Sequence, residues 1–378
     1  MNIKPIACQV LPQTVGIQSW LILLLAAACG LIATNIYYAQ PLIGLINTSL
    51  GLSSQAAGMI ATMPQVGYGI GLLLVVPLGD IIENRRFSVA VLCIATLASI
   101  AAATAEHAAT FLAAGLFIVL GSVAVQILIL YAANLTPAAA QGRVVGNVTS
   151  GLMLGIMLAR PAACFITNAS SWRVVFIISA IVMAMLTIVL GFTLPLRRPV
   201  RGLDYGSLVA SMVPLIRHTP TLRRRAFYQT CLFGAFSLFW TTVPLLLADK
   251  FHFSQMGIAL FALAGAASVF VAPIAGRVAD SGWDRPATGF AMVAVAACFL
   301  LDMPGLPETN GGLAILVLAA ILLGLGVTGH AVLGQRAIFS LDASSRGRLN
   351  GIFMATYFAG GAADSVLGTW SYAHGGWD

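Results

Sequence analysis

Long apolar stretches dominate this chain and restrict the folds that are open to it. Eleven stretches of about 18–25 residues hold almost no charged side chain, and each matches the roughly 20 residues that an α-helix needs to cross a bilayer. A soluble domain carries about 25% charged residues, whereas 8% of these 378 residues are charged. We therefore predict an all-α integral membrane protein. The predicted spans are 19–40, 56–78, 87–105, 110–133, 144–166, 172–194, 226–248, 255–279, 286–303, 314–338 and 350–371.

The basic residues sort by side of the membrane. If the N-terminus is cytoplasmic, 16 of the 19 basic residues lie in cytoplasmic segments and only two lie in outer segments, while Arg160 lies within a span. Cytoplasmic loops of membrane proteins carry such an excess of Lys and Arg. We therefore predict a multi-pass protein with a cytoplasmic N-terminus. The same distribution accounts for the net charge of +7 without a nucleic-acid partner.

The longest polar interruption falls between the sixth and seventh predicted spans. Residues 195–225 contain seven arginines and four prolines, a composition that predicts a cytoplasmic linker with a short surface helix around 206–218. The linker divides the chain into residues 1–194, with six predicted helices, and residues 226–378, with five. We predict that each part forms its own bundle.

The two parts repeat each other at an offset of 200–205 residues. Repeats of this kind are typical of secondary transporters, and they predict two homologous six-helix units related by a pseudo-two-fold axis along the membrane normal. The second unit holds five of its six helices. The matching pairs, in the same order in both parts, are Ser54 with Ser254, Asp80 with Asp280, Arg85 with Arg285, and Gly142-Arg143 with Gly347-Arg348.

These features together resemble the major facilitator superfamily. The family pattern after the second span is roughly Gly-x-x-x-Asp-Arg-x-Gly-Arg-Arg; segment 76–86 keeps its Asp and its final Arg pair but lacks the first Gly, the Arg after the Asp and the internal Gly. The Asn-Ile-Tyr-Tyr-Ala-Gln-Pro-Leu stretch at 35–42 is similar to bacterial inner-membrane members near the drug/proton antiporters. The glycine-rich fifth span is similar to the antiporter motif, with Arg160-Pro161 in place of its Gly-Pro step.

The resemblance implies a function as well as a fold. It implies a bacterial inner-membrane, secondary active transporter that moves a small organic solute by alternating access, with proton-coupled efflux as the expected mode. Uptake, a ligand sensor on the same scaffold and a truncated, non-functional transporter remain as alternatives. An intramembrane enzyme lacks support, because the sequence has no HExxH, GxSxG or P-loop motif. The expected partners are the substrate, protons and the lipid bilayer; the expected working unit is a monomer without cofactor or metal.

The candidates for gating lie at the cytoplasmic ends of spans. The resemblance implies that Asp80 faces the N-terminus of the eleventh span, and by the repeat Asp280 faces that of the fifth. A carboxylate gains about 0.3–1 kcal/mol at a helix N-terminus, so such contacts form a latch that can open. The alternative is that these are ordinary interfacial charges in tight loops. The candidate set is Asp80, Arg85, Arg86, Arg143, Asp280, Arg285 and Arg348.

Two ionisable residues lie well inside predicted spans, Arg160 in the fifth and Asp364 in the eleventh. Burying a charge in hydrocarbon costs at least about 2.5–3.5 kcal/mol, so each is expected to face a cavity or a partner. By the repeat they occupy nearly matching positions in the outer half of the bilayer. We hypothesise that Arg160 binds an anionic or polar substrate and that Asp364 couples transport to protons. The alternatives are a static ion pair between them, or an Asp364 that lies in the span without a function.

Polar and aromatic residues on five further spans complete the candidate substrate site. Some of them share a helix face because they are three residues apart, as Asn35 and Tyr38 are. For each of them a hydrogen bond between helices is the alternative, and His330 is in addition a candidate proton relay. The set is Asn35, Tyr38, Gln65, Tyr68, Gln126, Asn134, Trp240 and His330.

Two further features yield structural expectations. The glycines of the fifth span, Gly146, Gly151 and Gly155, are expected to allow close helix approach rather than to bind a ligand. Trp377 stands 205 residues after Trp172, which opens the sixth span. The chain is therefore expected to stop at the threshold of a twelfth span.

Overall fold

The computed structural model of the protein describes residues 17–51, 54–196, 204–302 and 309–375. Helices make up most of these ranges, and no β-strand occurs within them. The predicted all-α fold class is confirmed. Trp377, on which the expectation about the twelfth span depends, lies outside the described residues.

The first set of helices ends at Thr193. Helices suit a bilayer because each satisfies its backbone hydrogen bonds within its own segment. The fourth predicted span is built from two helices in line, separated at Val123. The helices are α1 (Ser19–Tyr37), α2 (Ile43–Leu50), α3 (Ser54–Leu74), α4 (Asn84–Ala103), α5 (Ala108–Ser122), α6 (Ala124–Asn134), α7 (Gln141–Ala169) and α8 (Trp172–Thr193).

The second set begins at Pro220 and is preceded by two short helices, α9 (Tyr205–Ala210) and α10 (Met212–His218), where the surface helix is predicted. Four short 3₁₀ segments, at Gln40–Leu42, Val76–Asp80, Ala138–Ala140 and Ala262–Ala266, adjoin helix ends in both sets. The helices of the second set are α11 (Pro220–Asp249), α12 (Gln255–Phe261), α13 (Ala267–Asp280), α14 (Asp284–Asp302), α15 (Asn310–Phe339) and α16 (Arg346–Gly375).

A helix lies at each of the eleven predicted spans. Within the described ranges, nine helical segments are long and apolar enough to cross a membrane by length and composition. The other two positions belong to α3 and α16. Helix α16 carries three charged residues, Arg346, Arg348 and Asp364. Because it packs against several neighbouring helices, these charges have to be stabilised by contacts within the protein.

Equivalent helix pairs pack together in the two sets. Helix α1 packs on α7 as α11 packs on α16, and α4 packs on α5 as α14 packs on α15. Between the sets, α7 packs on α13 and α3 packs on α16. These matched pairings agree with two bundles related by a pseudo-two-fold axis.

Glycines bring α1 and α7 into backbone contact. A Cβ atom on Gly151 would lie 2.2 Å from the carbonyl oxygen of Ala26, and one on Gly155 would lie 2.1 Å from that of Gly30. Real Cβ atoms do not approach a backbone oxygen so closely, so only glycine fits at these positions. The expectation that these glycines serve close helix approach agrees with this packing.

The glycine contact between α1 and α7 leads to a stability prediction. Gly155→Ala should destabilise the fold by about 1–3 kcal/mol, because the added methyl overpacks the contact with Gly30. Gly115→Ala in α5 is the matched control, since a Cβ there meets nothing within 4 Å. The measurement is the midpoint of thermal unfolding in detergent. Equal midpoints for the two variants would contradict the contact.

Candidate functional site

The ends of the membrane-crossing helices that carry Arg85, Arg143, Arg285 and Arg346 lie on one side of the bundle, which we call the basic side. The other ends lie on the opposite side. The candidate residues fall into two groups along this axis: a set of polar contacts that joins the two helix sets at the basic side, and a cavity towards the opposite side.

The first contact joins Asp80, at the end of a 3₁₀ segment after α3, to the N-terminus of α16. The carboxylate accepts hydrogen bonds from the amides of Gly347 and Arg348, at 2.9 and 3.2 Å, and from the Arg348 Nε, at 3.1 Å. The first turn of a helix has free N–H groups and a partial positive charge. The carboxylate therefore satisfies donors that α16 itself leaves unpaired.

The second contact repeats the first with the helix sets exchanged. Asp280, the last residue of α13, accepts from the amides of Gly142 and Arg143 at 2.9 and 2.7 Å. The side chain of Arg336 adds an ion pair at 3.1 Å and also donates to the carbonyl of Ala138, at 2.7 Å. Both aspartates thus contact the helix ends that the resemblance and the repeat imply. Arg336 is a member of this contact that the sequence analysis did not identify.

Glycine allows these contacts to form. A Cβ atom on Gly347 would lie 2.5 Å from the Asp80 carboxylate, and one on Gly142 would lie 2.5 Å from the carbonyl oxygen of Gly276. One turn further along, Gly351 and Gly146 meet the backbones of α3 and α13 in the same way. At the repeated Gly-Arg-x-x-Gly segments, therefore, the backbones of the two helix sets come into direct contact.

The linker helices join the two sets at the same place. Arg348 donates from Nη1 to the Ser211 hydroxyl, between α9 and α10, at 2.7 Å. The Tyr205 hydroxyl, at the start of α9, donates to the carbonyl of Leu74 at 3.0 Å. The residues before α16 are ordered by Asp342: burial acts to raise the pKa of its carboxyl, but hydrogen bonds from Ser345 and neighbouring groups hold that pKa below its ordinary value.

Three of the predicted gating arginines lie outside these contacts. Glu83 caps α4 and accepts from the amides of Arg85 and Arg86, and the Arg86 side chain is 86% exposed. Arg285 is exposed at the start of α14. Arg143 takes part through its amide while its side chain faces out. The sequence analysis predicted gating roles for all of these arginines because the sequence alone does not show which face of its helix each side chain occupies.

Three buried amide side chains connect the helix sets one turn deeper. The Gln126 Oε1 on α6 accepts from Asn350 Nδ2 at 3.0 Å and from Gln335 Nε2 at 3.4 Å, and Gln335 also donates to Asn350 at 3.2 Å. Each residue is at most 4% exposed. Gln126 was predicted as a substrate contact, whereas in the structure it bonds to Gln335 and Asn350 of the other helix set.

Asn134 also differs from its predicted place in the substrate site. Its Oδ1 accepts from Arg346 Nη1 at 2.7 Å, at the basic-side ends of α6 and α16. Asn134 is the last residue of α6. The helix face that it shares with Gln126 therefore leads to the basic-side end of the bundle and does not line a cavity. Asn134 thus belongs to the contacts between helix sets.

Arg160 lines a cavity of about 670 Å³ towards the opposite side, between the 3₁₀ segment Gln40–Leu42, α2, α7, α11 and α12. Its Nη2 donates to Gln40 Oε1 at 2.9 Å, and its guanidinium lies 5.4 Å from the centroid of the Tyr37 ring. Trp240, from the other helix set, lines the same cavity. The structure therefore brings two predicted substrate residues together across the two sets.

Arg160 and Trp240 contribute only hydrogen-bond donors to this cavity, whereas Gln40, Thr167 and Asn168 can both donate and accept. Arg160 has five N–H donors, of which one is bonded to Gln40. The indole Nε1 of Trp240 and the hydroxyl of Thr167 are buried without a hydrogen-bond partner. None of the described residues around the cavity is acidic. The cavity thus has a positive charge and unused donors, with apolar walls from residues such as Phe261.

Asp364 does not pair with Arg160. No ion pair or hydrogen bond joins its carboxylate to another of the described residues. Instead its side chain packs on Gly234 of α11, where a Cβ would lie 1.6 Å from Oδ2. The static ion pair that was one alternative at the sequence level is absent from this conformation. Asp364 is a half-buried carboxylate in a span without a charged partner.

Four other candidates lie apart from the Arg160 cavity. Asn35 is bonded to Ser179 of α8, inside the first helix set. Tyr38 lines an apolar groove along α1 and α7, and Tyr68 packs edge-on against Phe358 with ring centroids 5.0 Å apart. His330 is fully buried, with Nδ1 2.6 Å from Gln229 Oε1. Asn35 and His330 thus form hydrogen bonds between helices, the alternative stated for each, whereas Tyr38 and Tyr68 are described by packing contacts. The Gln65 side chain lies outside the described residues.

The sequence is similar to a family model and to several bacterial transporters. The family model of the Major Facilitator Superfamily matches residues 23–363. The uncharacterized transporter YgaY of Escherichia coli O157:H7 is 36% identical over 358 residues, which cover 94% of this chain and 90% of that protein. The probable transporter SCO4007 of Streptomyces coelicolor is 33% identical over 360 residues, covering 94% of this chain and 82% of that protein.

Solved structures share the architecture. The human organic anion transporter MFSD10 matches with a TM-score of 0.75 at 14% identity, over 94% of both chains. The proton:xylose symporter XylE matches with a TM-score of 0.62 at 16% identity, over 94% of this chain and 90% of that one. At these identities the likeness shows the fold alone. Because the family model spans most of the sequence and the relatives align along nearly all of it, the chain belongs to the Major Facilitator Superfamily, a family of membrane transporters and not of enzymes.

Proposed function

We propose that this protein is a secondary active transporter of a bacterial inner membrane, which moves a small organic solute by alternating access in proton-coupled efflux. The basic side is cytoplasmic, in keeping with the distribution of Lys and Arg, and the protein works as a monomer. The observation that carries the proposal is the matched pair of aspartate contacts, which closes one side of the bundle while the Arg160 cavity lies towards the other.

Alternating access requires contacts that can break. In the proposed cycle, residues 1–194 and 226–378 rock against each other about the linker 195–225. Opening the cytoplasmic side separates Asp80 from α16 and Asp280 from α7, and it also parts the amides of Gln126 and Asn350. The carboxylates and amides that lose these contacts become hydrated by water that enters from the cytoplasm. The closed state is therefore favoured by several modest contacts rather than by one strong one.

The Arg160 cavity is the proposed substrate site. A guanidinium with free donors, the Trp240 indole N–H and apolar walls suit an organic anion, whose charged group bonds to Arg160 while its body packs on the walls. The description of MFSD10 as an organic anion transporter agrees with this class of substrate. Gln40 orients the guanidinium from within the same helix set, so substrate binding does not have to break a contact between the sets.

Asp364 is the proposed site of proton coupling. A carboxylate inside a span is costly when charged, so protonation and release there can be linked to conformation. Its position on α16, in close contact with α11, places it within the second helix set and away from the Arg160 cavity. XylE, which shares the fold, is described as a proton symporter. Substrate and proton would therefore bind at separate sites.

The gate is tested by the double variant Asp80→Asn and Asp280→Asn. Hydrogen bonds to charged groups are worth about 1.5–3 kcal/mol, so the ratio of open to closed cytoplasmic side should rise roughly tenfold or more. Pulsed EPR between spin labels on the exposed positions Arg86 and Ser281, in a background without the six native cysteines, measures this ratio. Glu106→Gln, an exposed carboxylate between α4 and α5 at the opposite side, is the control. An unchanged distance distribution in the double variant would refute the gate.

The substrate site is tested by Arg160→Gln with Arg173→Gln as its control. Arg173 is an arginine of α8 that bonds to the carbonyl of Ala105, away from the cavity. A screen of radiolabelled organic acids in inside-out vesicles identifies a transported anion; its apparent affinity should then fall about tenfold or more in Arg160→Gln and stay the same in the control. Binding of such anions without flux would favour a sensor over a transporter.

Proton coupling is tested by Asp364→Asn. We expect this variant to lose transport driven by a pH gradient while it keeps substrate exchange at equal pH, because exchange needs no net proton movement. Asp249→Asn, at the opposite-side end of α11, is the control and should keep both activities. If Asp364→Asn retained gradient-driven transport with an unchanged pH profile, the carboxylate would have no role in coupling.

A further inference from the structure

A second polar pocket opens at the basic side, entirely within the second helix set. It has a volume of about 320 Å³ and lies between the basic-side ends of α11, α13, α14 and α15. The transport cycle proposed above assigns it no role. Its polar lining consists of Thr221, Arg224, Arg225, Asp284, Arg285, Arg336 and Ser340.

The pocket has an excess of positive charge. Arg225 is neutralised by Asp284 at 2.9 Å, and Arg336 by Asp280 at 3.1 Å. Arg224 and Arg285 are exposed and form no ion pair with any residue that the structure describes. Four arginines thus meet in one pocket whose lining includes a single carboxylate, and two of the four positive charges are not compensated.

Two of these arginines are held in place rather than free in solvent. Arg225 is 5% exposed and bonds to Thr288 as well as to Asp284. Arg336 is fixed by Asp280 and by the carbonyl of Ala138. A guanidinium has five N–H donors, so both retain donors beyond those used. Surface arginines that merely set membrane topology need no such burial, since their role requires only contact with water and headgroups.

The repeat shows that the fold does not require this pocket. At the offset of 205 residues, the position of Arg336 in the first half is taken by Tyr131, whose hydroxyl donates to the carbonyl of Pro195. The position of Arg225 falls within residues 20–25 at offsets of 200–205, and this stretch contains no arginine. The first half therefore builds the same helix ends without an arginine cluster, and the cluster is a property of the second half alone.

We propose that this pocket binds a phosphate group, carried by an anionic phospholipid headgroup or present as free phosphate. Guanidinium groups match phosphate oxygens in charge and in paired hydrogen-bond geometry. Basic pockets between helices on the cytoplasmic side suit lipid headgroups. Arg225 and Arg336 form the fixed floor of the site, and Arg224 and Arg285 close over the anion from the rim. Arg336 is shared with the gate, so the bound anion lies one side chain away from Asp280.

The test compares the wild-type chain with Arg224→Gln/Arg285→Gln, since both residues are exposed and their loss should leave the fold intact. The matched control is Arg217→Gln/Arg223→Gln, two exposed arginines of the same region outside the pocket. Purified full-length protein in neutral detergent is titrated with phosphatidylglycerol, with phosphatidylcholine as the uncharged comparison, and separately with inorganic phosphate against chloride at equal ionic strength. The midpoint of thermal unfolding reports binding, because a ligand of the folded state raises it.

We expect phosphatidylglycerol or phosphate to raise the unfolding midpoint of the wild type and of the control variant. The apparent Kd should rise about tenfold or more in Arg224→Gln/Arg285→Gln, which loses two charge-assisted contacts. A response to phosphatidylglycerol alone identifies a lipid headgroup as the ligand, and a response to inorganic phosphate identifies the free anion. No response to either probe, or an equal loss in both double variants, would overturn the proposal. None of these readouts depends on transport, so failure here leaves the proposed function untouched.

Discussion

The meeting of a carboxylate with the free amides of a helix N-terminus is the interaction on which the rest of this structure depends. It occurs twice, at Asp80 with α16 and at Asp280 with α7. Each occurrence needs a glycine at the second residue of the receiving helix, since a side chain there would displace the carboxylate or the facing backbone. The two contacts fix the register in which α3 meets α16 and α13 meets α7, the helix pairs that pack most extensively between the two sets.

The polar groups are graded along the membrane normal. Ionised contacts lie at the basic-side surface, where water can reach them when they part. The neutral amides of Gln126, Gln335 and Asn350 lie one turn deeper, where an unpaired charge would cost more than an unpaired amide. Arg160 lies towards the other side beside a cavity. In this order, each kind of polar group lies where its surroundings can solvate it both when its contact is formed and when the contact is broken.

Sequence reasoning predicted the helices, the repeat and the positions of Asp80 and Asp280, because hydropathy, offset and motif depend on the chain alone. It also identified Arg160 and Trp240, which share a cavity, since polar groups in apolar spans stand out. It misplaced Asn134, Arg85 and Arg285 and overlooked Arg336, Gln335 and Asn350. Whether a polar residue near a helix end turns towards the partner bundle depends on helix rotation and crossing angle, which arise only when the bundles pack.

The linker helices have a consequence for how the two bundles move. Tyr205 holds the start of α9 to the Leu74 carbonyl of the first bundle, while Ser211, six residues later, holds Arg348 of the second. The segment 205–211 thus forms hydrogen bonds to both helix sets. These two hydrogen bonds must break when the two helix sets separate by more than side-chain rotation can compensate. Residues 205–211 therefore limit how far the two helix sets can separate while these hydrogen bonds remain intact.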